Sequence, residues 1–191
     1  MLTVFIDFKS PASCLALEPT LALARETGVH IEWLPFSVRP FFVPEEQANE
    51  TVGERHRRVR ALAQRDTHLH YAAVQGREMQ FSQTPAGSEA ALAAMAGIDG
   101  DPVPFIRAAF AAYWDEQADL DDEMEVAALL SSLHMALPDL QSARAKLLSI
   151  RAKAVESGIF EAPSYAIADQ LFVGREHLPW IESLIQAVPL R

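Results

Sequence analysis

The stretch Asp7-Phe8-Lys9-Ser10-Pro11-Ala12-Ser13-Cys14 marks the end of a short apolar strand and the start of a helix. The run before it, residues 2–8, is β-rich. The run after it is rich in Ala and Leu and carries proline at its first position, where a missing N–H does no harm. Ser10 therefore falls at or near a helix N-cap. A helix N-terminus offers unpaired N–H groups and the positive end of a dipole, which stabilise an anion by roughly 0.3–1 kcal/mol when exposed and more when partly buried. A negative group is expected there.

Working outward, the Ala/Leu helix runs over residues 11–27 and is stopped by Gly28, and a second strand follows over 29–34 with an exit at Pro35. A helical crossover of this length implies two parallel neighbouring strands joined in the right-handed sense. From about residue 51 to 157 nearly every segment has helical composition: 52–74, 87–95, 103–118, 124–133 and 140–156. Strand character returns at 164–168 and 171–173, separated by a turn at Asp169-Gln170, and a last helix is predicted over about 176–188. The chain thus reads as a β-α-β start and a β-β-α end around about a hundred helical residues.

At 191 residues, half of them hydrophobic, the chain can bury a full core as one domain with an insertion. Its formal charge of -10 and pI near 5.0 argue against a nucleic-acid partner, since backbone phosphates are repelled by the net field. One cysteine, Cys14, allows no intrachain disulfide, no Cys-x-x-Cys redox pair and no cysteine-rich zinc site, and cytoplasmic localisation is expected. Residues 2–8 are too short and lack the basic flank of a signal peptide. Charges interrupt every apolar stretch well short of the about 20 residues a membrane span needs, so no membrane partner is expected. No metal site is predicted: His68 and His70 alternate and fall on different helix faces, and the acidic run Asp115 to Asp122 puts Leu120 where a calcium loop needs glycine. Asp121 or Asp122 reads better as a helix cap.

The strand leading into Ser10-Pro11-Ala12-Ser13, the second strand ending Trp33-Leu34-Pro35-Phe36, and the tail segments Ala162-Pro163-Ser164-Tyr165 and Gly174-Arg175-Glu176-His177-Leu178 together resemble the DsbA-like branch of the thioredoxin fold. Within that branch the chain resembles the kappa-class glutathione transferases and 2-hydroxychromene-2-carboxylate isomerases, with Asp-Phe-x-Ser-Pro-x-Ser near the start and a Gly-x-Pro-Thr/Ser-Phe-like segment near the end. Tyr113-Trp114, Asp119-Leu120 and the helix around Val126 match the spacing of the inserted helices. The resemblance implies an α/β thioredoxin-like fold, DsbA-like, in which residues 1–40 and 158–191 form the thioredoxin-like domain and 41–157 a helical insertion. It also implies that Ser10 and Ser13 stand where a redox relative carries its two cysteines.

The resemblance assigns Ser10 as a hydroxyl that donates a hydrogen bond to a bound thiolate, with glutathione as cofactor; read from the residues alone, Ser10 is an ordinary N-cap. One such bond contributes roughly 1.5–3 kcal/mol, enough together with the helix end to bring a thiol from near 8.5 toward neutrality. Ser13 has a structural reading. Cys14 is turned about 100° from Ser13 around the helix and reads as a buried inert thiol, with a reactive monothiol as the alternative. The resemblance implies a cis peptide before Pro163 and gives Ala162 a backbone role toward the cysteinyl part of glutathione. It gives Arg175, Glu176 and His177 the γ-glutamyl end, although the family usually reads Gly-x-Asp-Arg here. Glu176 still suits an ammonium group, whereas a neutral His177 is a weaker carboxylate partner than arginine, and Arg175 is the residue to compensate. Arg55 and Arg58, on one side of the basic helix start at 54–60, are either a solvated face or the partner of the glycyl carboxylate. Phe41 and Phe42 line a cleft, serve a dimer contact or pack the insertion.

Three functions are therefore open: a glutathione-dependent isomerase or transferase acting on a small electrophilic, conjugated aromatic-derived substrate, with homodimerisation implied by the resemblance alone; a thiol-disulfide oxidoreductase relative acting through Cys14; and a non-catalytic ligand-binding protein of the same fold.

Overall fold

Strand β1 (Leu2–Ile6) is shorter than the predicted 2–8 because Asp7 turns the chain. Its backbone carbonyl accepts from Ser10 N at 3.1 Å and its side-chain Oδ1 accepts from Lys9 N at 3.2 Å, an Asx-type turn that ends the strand. The computed structural model describes residues 1–187. Helix α1 (Pro11–Thr27) has the predicted bounds, with Ser10 as N-cap and Gly28 in the left-handed region at φ 72°, its N–H closing on the Ala24 carbonyl. Strand β2 (Ile31–Pro35) pairs in parallel with β1, from Leu2 opposite Ile31 to Ile6 opposite Pro35, as the crossover rule requires.

Five helices follow: α2 (Val52–Val74), α3 (Glu89–Gly97), α4 (Val103–Trp114), α5 (Glu123–Ser132) and α6 (Leu140–Glu156). α2 opens with a complete Thr51/Glu54 capping box. Asp122 caps α5, and Asp121 accepts from Glu89 N at the start of α3, so both aspartates cap helices. Strands β3 (Ser164–Ile167) and β4 (Gln170–Val173) complete a sheet in the order β2-β1-β3-β4, β3 being antiparallel to both neighbours. The expected final helix over 176–188 divides: Arg175–His177 form one 3-10 turn, and α7 (Leu178–Ala187) begins only where Pro179 sits in its first turn. Val188 lies outside the described residues.

Apolar positions 2, 4 and 6 of β1, Trp33 of β2 and Tyr165 of β3 share one face and meet α1, α7 and the inserted helices α3 and α4 in a single core. Phe8, fully buried, packs edge-on against Phe105 and Phe110 of α4 and so ties the turn after β1 to the insertion. The other face carries a smaller cluster of Phe5, Phe36, Ala154 and Ile159 beneath the end of α6. No helix is long and apolar enough to cross a membrane among the described residues.

Candidate functional site

The turn between β1 and α1 holds a polar knot that sequence reasoning missed. Asp7 is fully buried and Lys9 nearly so, and their Oδ2–Nζ distance is 2.7 Å. Lys9 Nζ spends its other two donors on Ser37 and Ser88 hydroxyls, each at 3.1 Å. Asp7 also accepts from Ser88 Oγ at 2.6 Å and from Val38 N at 2.7 Å. Every donor of the ammonium is used, which is what a buried charge requires. Ser88 is the N-cap residue of α3 but caps nothing: its hydroxyl faces Asp7, while Asp121 takes over the helix N–H. The available signal was a pair of charges flanking Phe8 inside an otherwise apolar run.

Ser10 follows directly, its N–H bonded to the Asp7 carbonyl. Ser10 Oγ accepts from Ser13 N at 3.2 Å, as an N-cap does, and donates to the Ala162 carbonyl at 2.8 Å. Residues 152 positions apart are thus joined, and the Ala162–Pro163 peptide beside Ser10 is cis, as the resemblance implied. The Ala162 N–H is engaged by Glu161 Oε1 at 3.1 Å, so both backbone groups of Ala162 have internal partners. Ser13 is structural, accepting a long bond from Asp7 N at 3.4 Å.

Cys14 is buried, and its thiol lies 3.0 Å from an Arg77 guanidinium nitrogen. Burial raises its pKa from 9.0 to about 12, outweighing the opposing charge of Arg77, which is itself shared with Asp115. At neutral pH the sulfur is therefore protonated. Native protein should react with a disulfide reagent more than about a hundredfold slower than unfolded protein; comparable rates would contradict burial of the thiol. Because the folded-state pKa lies above the unfolded one, the stability this burial supplies is complete below about pH 9 and is lost as pH rises toward 12.

The final strand and turn bring Arg175 to the same end of α1. Gly174 N donates to the Pro163 carbonyl at 2.9 Å, fixing the 3-10 turn against the cis-proline loop. The Arg175 guanidinium lies 3.6 Å above the Tyr71 ring and donates to the Leu15 carbonyl at 3.4 Å. Glu176 is exposed, its carboxylate folded back over Gly174, where a Cβ would meet it within 2.5 Å. His177 is tilted against Phe172, 5.7 Å between centroids. Arg55 and Arg58 do share a side of α2, but the structure pairs both with Glu50, Arg58 at 2.6 Å, and gives Arg58 a second carboxylate at Glu46. Arg58 also lies 13 residues from Tyr71, about 20 Å along the helix. Both arginines thus have an internal carboxylate as partner.

A cavity of about 270 Å³ adjoins this end of the fold, lined by Phe41, Phe81, Tyr113 and Trp114 among others. Trp114 Nε1 donates to the Phe8 carbonyl at 2.9 Å, which ties the cavity wall to the Ser10 turn. Phe41 meets His68 edge-on at 5.6 Å and Phe81 at 5.5 Å, while Phe42 is exposed. Burial, and then the charge of Arg175, lower the His68 pKa below its ordinary value. The larger groove, about 880 Å³ along β2, touches none of the candidate residues. No group of three or more His, Cys, Asp or Glu able to hold a metal occurs among the described residues.

Comparison of the sequence with curated proteins gives no match. Several solved structures share the fold at low identity. A 2-hydroxychromene-2-carboxylate isomerase is 18% identical, with TM-score 0.75 and 97% of this chain and 94% of that one covered. A probable DsbA oxidoreductase from Streptomyces coelicolor is 13% identical, with TM-score 0.74 over 100% and 92%. The cytosolic disulfide reductase DsbM from Pseudomonas aeruginosa, solved with GSH, is 17% identical, with TM-score 0.62 over 97% of each chain. The family model of the DSBA-like thioredoxin domain matches residues 1–186, nearly the whole length over which Ser10, the cis-proline loop and Arg175 are assembled, and the chain belongs to that family.

Proposed function

We propose that this protein is a glutathione-dependent isomerase or transferase. The observation that carries the reading is the Ser10 hydroxyl, held at the N-terminus of α1 and 2.8 Å from the carbonyl of the residue preceding the cis proline. Glutathione, when bound, would supply a thiolate able to add to a small electrophilic, conjugated aromatic-derived substrate. Ser10 can turn its O–H from the Ala162 carbonyl toward that sulfur, and the freed carbonyl suits an N–H of the ligand's peptide backbone, while the Ala162 N–H keeps its bond to Glu161. The helix dipole favours a negative sulfur at this end, and α1 presents no acidic residue in its first turn to oppose it. Arg175 is the cation for the γ-glutamyl carboxylate, Glu176 suits the ammonium, and His177 borders them. Phe41, Phe81 and Trp114 line an aromatic cavity that would suit such a substrate, tied to the Ser10 turn through the Trp114–Phe8 hydrogen bond. A structure of the same fold solved with GSH supports the choice of ligand. Cytosolic location and homodimerisation are part of the same proposal.

Calorimetric titration with reduced glutathione at neutral pH tests it. Saturable binding, weakened about tenfold in Arg175→Ala, is the expected result; no binding at millimolar ligand would overturn it. A non-catalytic ligand-binding protein is the second reading, favoured by the internal engagement of Ser10 with Ala162 and of Ala162 with Glu161. It requires a bound thiol whose pKa is that of free glutathione. Action through Cys14 is disfavoured by a thiol that stays protonated to about pH 12.

A further inference from the structure

Helix α1 carries a proline in its interior, Pro19. Proline has no N–H, so the carbonyl four residues earlier, that of Leu15, loses its helical donor. Two side chains from elsewhere in the chain take its place: Gln75 Nε2, at the C-cap of α2, at 2.9 Å, and Arg175, in the turn before α7, at 3.4 Å. Leu15 itself is fully buried, so water is not the alternative partner. The same guanidinium rests on the Tyr71 ring at 3.6 Å, one turn before Gln75 on α2. One nitrogen of Arg175 is therefore fixed on α1 and its flat face on α2, which leaves its remaining N–H groups directed by two elements rather than free in solvent.

We propose that Pro19 is a positioning residue: by releasing the Leu15 carbonyl it anchors Arg175, with Gln75 as co-donor, in the orientation that receives a ligand carboxylate. This rests on the glutathione reading above. It assigns a binding consequence to a residue that contacts no ligand, and it makes stability and binding move in opposite directions. In Pro19→Ala the backbone N–H returns and Leu15 is again bonded within the helix, so α1 gains what an interior proline withholds. Arg175 loses its partner and gains rotational freedom that ligand binding must then remove.

The test compares wild type, Pro19→Ala and Gln75→Leu by thermal unfolding, by NMR of the arginine guanidinium protons, and by titration with reduced glutathione and with cysteinylglycine, which lacks the γ-glutamyl carboxylate. In wild type the Arg175 guanidinium should rotate slowly. Pro19→Ala should raise Tm by a few degrees, abolish the slow rotation, and weaken glutathione about five- to tenfold while leaving cysteinylglycine unchanged. Gln75→Leu should keep the slow rotation, because Arg175 still meets the free carbonyl. Unchanged glutathione affinity in Pro19→Ala, or equal loss for both ligands, would overturn the positioning role. Slow rotation lost in Pro19→Ala with no glutathione binding by wild type would instead show that the anchor exists and the glutathione reading is wrong.

Discussion

Asp7→Ala is expected to destabilise the protein by about 3–5 kcal/mol, measured by denaturant unfolding, because it leaves the Lys9 ammonium buried without its counter-ion. The substitution also deprives Val38 N and Ser88 Oγ of their acceptor. These bonds hold three separate pieces together: the β1–α1 turn, the segment leaving β2 and the start of α3. The loss should therefore be felt as loosening between sheet and insertion, not as local fraying. The double variant Asp7→Ala/Lys9→Met should recover a large part of the loss, since replacing a buried ion pair by apolar side chains is often neutral or better. If Asp7→Ala alone costs less than about 1 kcal/mol, the pair is not buried in solution. If the double variant is as unstable as the single one, the hydrogen bonds to Val38 and Ser88 matter more than the charge.

Ser10→Ala separates capping from chemistry. Loss of the N-cap should reduce stability by about 1 kcal/mol, leaving a folded protein. On the proposed function, the bound glutathione thiol loses a charge-assisted donor, so its pKa, followed by thiolate absorbance, should rise by about 1–2 units. Turnover of a conjugated electrophile at neutral pH should fall about 10- to 100-fold and be partly restored as pH is raised. Ser10→Thr, which retains a hydroxyl, should lose less. An unchanged thiol pKa in Ser10→Ala, with glutathione still bound, would remove Ser10 from the chemistry and leave the non-catalytic reading in its place.

Elements whose signals are local were legible in the chain itself. α1 begins and ends where Ser10/Pro11 and Gly28 say it should, and α2 and α6 fill the expected ranges 52–74 and 140–156, opened in the structure by Thr51/Glu54 and Asp139, because caps and left-handed turns act within a few residues. The strand-helix-strand start fixed the parallel β1–β2 pair, and the family pattern pointed to the cis peptide at Pro163. The helix expected from 176 starts at Leu178 because a 3-10 turn and a helix start share their residue preferences, and Pro179 in the first turn of α7 separates them. Arg55 and Arg58 show the limit of reading charge from sequence. Their spacing correctly put them on one side of α2, but their partner is Glu50, in a segment with no regular structure whose path is set by packing.

The sequence by itself determined the order and approximate bounds of the elements, the helix N-terminus at Ser10, and that Cys14 has no cysteine partner within the chain, since these follow from local signals and from the cysteine count. Tertiary structure decided everything that joins distant residues: Ser10 to Ala162, Asp7 and Lys9 to Ser37 and Ser88, Leu15 to Arg175. The physical reason is that a buried polar group must find a partner wherever the folded chain brings one, and sequence spacing carries no record of which one that is.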